Sequence, residues 1–321
     1  MLLQVWTIGR NTYTESIRQP IFVVLTLLGS LVLVLGPSFA AYTLDDDNRI
    51  MINMGLSTLF VAGLLLAAFT ATNVLSREVE NKTVLTVVSK PVSRPIFIFG
   101  KYMGVSTAIG MAFTILTLVF LLTVRHKVMQ TASDKFDIPV WVFGMGGALA
   151  ALALATLGNY FYHWVFTSTF MVSLFGFMTA GWAIVLVVSK DWHFQSPVTD
   201  LDGQLLIGLL LVLTAVLILT SVAVTASTRT GQVMTILICL IVFCVGLMSQ
   251  YFFGLYGEEY LIVNILYRIM PNMQFLWPAD ALTNENDFSF RYVLSVMGYS
   301  ILMIGAILSL GVALFQTREV G

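Results

Sequence analysis

Between two long apolar runs, Ser76 to Gly104 reads SREVENKTVLTVVSKPVSRPIFIFGKYMG and holds five of the chain's sixteen Lys and Arg residues. Neighbouring helices need only about two to eight residues to join them, so a polar stretch this long points to a contact. Its chemistry is that of a short surface helix followed by a rigid turn. Ser76 can cap, Glu78 and Glu80 lie near a positive helix end, and Glu78 stands at the favoured i,i+4 spacing from Lys82. Val79, Val84, Val87 and Val88 fall roughly on one face, which makes the helix amphipathic. Pro91 stops it, Ser93-Arg94-Pro95 supplies a second helix start, and Gly100-Lys101 leads into the next apolar run. Such a helix, held between two membrane spans, can pass force from a soluble partner into the membrane. A solvated connector would carry the same charge pattern, and the residues alone leave both readings open.

Other candidate chemistry is thin. Cys239 and Cys244 lie five positions apart in an apolar run, on different helix faces, which disfavours a disulfide or a metal pair. Three scattered histidines and no C-x-x-C predict no metal site, and no nucleophile-base pair predicts no catalytic residue. The chain has no G-x-x-x-x-G-K-[ST] of its own, and Gly100-Lys101 is no remnant of one, because Tyr102 follows and the upstream glycine spacing is missing. Asp45, Asp46 and Asp47 read as a solvated turn rather than a cation site. Tyr160, Tyr162 and His163 read as interfacial anchors of a hairpin rather than a partner contact. The fifteen methionines are dispersed, with only Met51/Met54 and Met270/Met273 at helical neighbour spacing, which suits packing rather than copper binding.

The elements that must position these residues are membrane spans. The 321 residues are 58% hydrophobic and 10% charged, with mean hydropathy +0.90, against a charged fraction of about 25% in soluble domains. The expected fold is an all-α polytopic transmembrane helix bundle. A net charge of −1 gives no electrostatic case for nucleic acid. Residues 1–19 mix Leu2, Leu3, Val5, Trp6 and Ile8 with Arg10, Glu15 and Arg18, the pattern of a helix lying in the interface. Spans of the required ~20 residues are expected near 21–43, 51–75, 102–124, 140–161, 167–188, 205–226, 233–253 and 292–315. Ser38-Phe39-Ala40 resembles a signal cleavage site, but Pro37 more simply bends a retained helix. The 254–291 stretch, broken by charges and rich in aromatics, is expected to be an extracellular interfacial segment with one or two short helices. Gly144, Gly146, Gly147, Gly176 and Gly181 suit close helix contacts.

Eight spans put both termini on one side. Nine of the sixteen cationic residues then share the side of the termini, the dense group from Arg77 to Lys101 among them, so both termini and the 76–95 segment are expected to be cytoplasmic. No Asp, Glu, Lys, Arg or His falls near the middle of a proposed span, which argues against proton coupling. Sodium coupling through carbonyls and hydroxyls stays open, as do a lone ion-driven carrier and a non-transporting scaffold.

Glu80, Lys82-Thr83, the apolar run to Val88, Pro91-Val92-Ser93-Arg94 and Gly100-Lys101 resemble, in this order, the cytoplasmic segment of ABC-2-type exporter permeases. The departure is Lys82, where that family has glycine. Pro271-Asn272-Met273-Gln274-Phe275, Asp280-Ala281-Leu282 and a last helix closing on Phe315 and Arg318-Glu319 resemble the ends of the same permeases. The resemblance implies a permease domain over 1–321 in the plasma membrane (the inner membrane of a bacterium). It also implies pairing with itself or a related permease, and with ABC ATP-binding subunits that hold the ATP and Mg, so that this chain has no cofactor. It further implies a coupling helix, with Glu78, Glu80, Lys82 and Thr83 at the ATPase contact and Pro91, Ser93 and Arg94 shaping the return to the membrane beside Gly100 and Lys101. The family typically has six spans, so either the 140–188 hairpin is an addition or the eight expected spans include one pair too many.

Overall fold

A chain this apolar must satisfy its backbone internally, since lipid offers no partner to an N–H or C=O. The computed structural model meets this with helix: 86% of it is helical, and no strand occurs among the described residues. These are residues 2–41, 47–80, 93–129, 136–251, 260–284 and 287–316, with the backbone alone at 76–80, 262, 263 and 266. In order they form α1 (Leu2–Ile17), α2 (Pro20–Ala40), α3 (Asp47–Glu80), α4 (Arg94–His126), α5 (Ile138–Tyr162) and α6 (Phe166–Val187). There follow α7 (Gly203–Ser227), α8 (Gln232–Leu247), the short α9 (Leu261–Ile269) and α10 (Ala279–Thr283), and finally α11 (Phe290–Gln316).

Seven of these helices, α2 to α7 and α11, are long and apolar enough to cross a membrane; α8, at 16 residues, is shorter. The eight expected spans are thus seven long helices and one short one. The expected 233–253 helix is interrupted at Met248, with helical geometry again at 249–251, and the chain folds back on this break. Met273 donates its N–H to the Gly246 carbonyl at 3.2 Å, and a Cβ on Gly246 would sit 2.5 Å from the Pro271 carbonyl oxygen.

Local signals set the other boundaries. Asp137 caps α5 by accepting from the Val140 N–H at 3.3 Å, and Asp202 caps α7 by accepting from Gln204 and Leu205 at 2.9 and 3.2 Å. His163 takes the left-handed conformation that ends α5, and Asn159 Nδ2 ties the turn by donating to the Trp164 carbonyl at 2.7 Å. Within the spans, hydroxyls bond back to their own helices, as Thr26 does to Phe22 and Thr220 to Val216.

The core sits on α4, 72% of whose apolar stretch is buried, with α7 and α3 beside it; α5 and α11, buried over only 17% and 22% of theirs, lie outermost. Polar bonds define two ends. At one, Thr167 Oγ1 donates to the Arg18 carbonyl at 3.0 Å, and α1 lies on the first turns of α4. At the other, Arg49 Nε donates to the Thr283 carbonyl at 3.0 Å, and Asn272 N–H donates to the Tyr299 hydroxyl at 2.8 Å.

Candidate coupling face

The α1 end collects what the structure describes of the sequence-predicted site. Glu78 and Glu80 form the last turns of α3, their side chains lying outside the described residues, as do Lys82, Thr83 and Pro91 altogether. Ser76 lies inside α3 and starts nothing: the helix that crosses the bundle runs on to Glu80. Thr72 to Leu75 are already helical, so continuing keeps the following N–H groups bonded, and the local cap preference loses. Ser93 is the N-cap residue of α4 in extended geometry, without a side-chain cap bond, and Pro95 falls in the first turn as its φ favours.

Gly100 and Lys101 are brought together with α1, and their surroundings are internal. A Cβ on Gly100 would lie 2.9 Å from Ile8 Cβ; one on Gly104 would lie 2.4 Å from the Gly9 carbonyl oxygen and 2.5 Å from Thr12 Cβ. The Gly-x-x-x-Gly spacing thus lets α1 rest directly on the backbone of α4. Lys101, 2% exposed, lies 3.9 Å from Glu15 Oε2 of α1 and 5.7 Å from the centre of the Phe97 ring. A buried ammonium needs such partners, because leaving it unpaired costs several kcal/mol or displaces its proton.

Arg94, the first residue of α4, is exposed and turns away from its own helix. Its Nη1 donates to the Gln316 carbonyl at 2.9 Å, in the last turn of α11. Arg229, in the turn between α7 and α8, donates through Nε to the Leu314 carbonyl at 2.9 Å in the same turn of α11. Phe97 and Phe315 stack beneath, ring centroids 5.7 Å apart and 18° from parallel. The α1 end is therefore a braced face built from α1, α4, the α7–α8 turn and α11. Tyr160 and Tyr162 stand exposed at the α5–α6 turn, Tyr162 stacked on Trp164 at 5.3 Å.

The opposite end holds residues that sequence reasoning missed. Arg125, buried in the last turn of α4, pairs through Nε with the fully buried Asp137 at 3.2 Å and donates from Nη2 to the Val188 carbonyl. Its Nη1 faces Asp200 Oδ2 at 3.2 Å as an ion pair without hydrogen-bond alignment, and Gln195 Nε2 donates to the same carboxylate oxygen. The cluster fastens α4 to the start of α5 and to the 188–200 loop. Half of its signal was legible: Asp137-Ile138-Pro139 is a helix-start pattern, though nothing in the spacing pairs it with Arg125. Among the described residues no group of three or more His, Cys, Asp or Glu could hold a metal ion.

Comparison with known families adds one match. The family model described as an ABC-2 family transporter protein matches residues 38–230, from the end of α2 through the α7–α8 turn, taking in the whole 76–104 stretch. The C-terminal motifs at 271–282 and 315–319 lie outside it. No curated protein matches the chain.

Proposed function

Since the chain belongs to the ABC-2 transporter family and is a multi-pass membrane permease of that kind, we propose that it forms the translocation pathway of an ATP-driven exporter. ABC ATP-binding subunits, carrying the ATP and Mg, dock on the α1 end. They press on the end of α3 and the segment after it, where Glu78, Glu80, Lys82 and Thr83 make the contact, and Pro91 and Ser93 shape the return into α4. Two copies, or one copy and a related permease, complete the pathway. The α1 end faces the cytoplasm in the plasma membrane, with both termini, as the cationic cluster from Arg77 to Lys101 favours.

One observation carries this reading. The 81–92 segment joins the two most continuous helices of the bundle, α3 with 34 residues and α4 with 33, so a push on it reaches deep into the core. At 1.5 Å per residue α4 alone runs for about 50 Å, from the α1 end to the Arg125 cluster. The test is the purified permease in nanodiscs with an ABC ATP-binding subunit that co-purifies with it. The expected result is ATP hydrolysis stimulated by the permease and lowered by Glu80→Ala at unchanged membrane insertion. Unaltered stimulation in a Glu80→Ala/Lys82→Ala variant would count against the assignment, as would flux through the purified chain under a sodium gradient with no ATPase present.

A further inference from the structure

Arg94 stands at the positive end of α4, whose first turn holds no acidic residue, so its charge is unfavourable toward its own helix. Across from it lies the last described turn of α11, with the carbonyls of Leu314 and Gln316 within reach. Arg94 reaches the Gln316 carbonyl there, and Arg229 reaches Leu314 from the α7–α8 turn. Two arginines from two separate elements thus converge on one helix end. Both bonds are exposed, and what the arginines add is a link between helices. Deeper contacts continue it. Phe97 stacks on Phe315, Thr225 Oγ1 donates to the Ile307 carbonyl at 3.0 Å, and a Cβ on Gly311 would lie 2.7 Å from Thr225 Oγ1.

We propose that Arg94 and Arg229 are positioning residues that clasp the last turn of α11, so that α11 moves with α4 and α7 whenever the segment before α4 is displaced. This rests on the reading of that segment as the ATPase contact. It also changes the role of Arg94, whose side chain grips α11 rather than reaching for the partner subunit. The clasp carries the displacement to a helix that the family match does not cover, at the far end of the sequence.

Two arms test it, both in a Cys244→Ser background because Cys244 is an exposed thiol. In the first, nitroxides replace Phe99 on α4 and Leu310 on α11, both exposed, and their separation is measured by pulsed electron resonance on the permease alone. The expected result is a narrow distribution that broadens in Arg94→Ala and narrows again in Arg94→Lys, which keeps a donor. An unchanged distribution in Arg94→Ala overturns the clasp. In the second arm, with the ATPase added, Arg94→Ala and Arg229→Ala should each leave ATPase affinity unchanged while lowering stimulated hydrolysis by about fivefold. Loss of ATPase affinity in Arg94→Ala would make Arg94 a docking residue and also overturn the proposal. A wild-type permease that no ATPase stimulates would sink the functional reading alone, since the first arm still decides the clasp.

Discussion

At the scale of single residues, two buried cations hold the molecule at its ends. Lys101 is almost wholly enclosed while Glu15 is 36% exposed, so the two members of the pair are not equivalent. Removing the carboxylate takes a partner from a buried charge, whereas removing the amine leaves a carboxylate that water can reach. Glu15→Ala should therefore destabilise the protein more than Lys101→Met, which fills its site with apolar volume; thermal unfolding in nanodiscs reads the order. Arg125 follows the same logic more strongly, because Asp137 has no access to water. Arg125→Met should cost about 3–5 kcal/mol, and adding Asp137→Asn should recover part of it, since the neutral amide oxygen can still cap α5. Equal unfolding temperatures for the single and double variants would refute this account of the cluster.

Among elements, the placing of α1 on α4 rests on absent side chains. Gly104→Ala puts a methyl 2.4 Å from the Gly9 carbonyl oxygen, a backbone atom that can yield only if α1 lifts, so a loss of about 1–3 kcal/mol is expected. Gly110 lies on the same helix with nothing within 4 Å of its missing Cβ. Gly110→Ala should be neutral or stabilise by up to about 1 kcal/mol, and unfolding of the two variants side by side checks the contrast. Most element positions were legible in the sequence, because a 20-residue apolar run has few alternatives in lipid. The 140–188 block divides where Asn159 to His163 mark it, into Ile138–Tyr162 and Phe166–Val187. What the sequence could not carry were lengths and pairings decided across the fold. α8 is interrupted at Met248 where a segment about 25 residues further on packs against Gly246, and α3 overruns Ser76 because its upstream turns are already packed. Gly100 and Lys101 stand beside the expected coupling segment in the sequence, and the structure packs α1 against them, in a register against α4 that no local spacing reveals.

Across the whole molecule, burial falls from α4, α7 and α3 outward to α11 and α5, and the polar contacts divide between two ends. The α1 end gathers the end of α3, the start of α4 and the two arginines that reach the last described turn of α11; the other end gathers the Arg125 cluster and the short helices α9 and α10. A molecule of this shape works as a lever only if its α1 end faces the compartment that holds ATP. The direct test is the accessibility of a cysteine at Glu80 in the Cys244→Ser background, using a membrane-impermeant maleimide on intact cells and again after permeabilisation. The account predicts labelling only after permeabilisation, and less of it when the ATPase is bound. Labelling of intact cells at that position would place the coupling face outside and contradict the account.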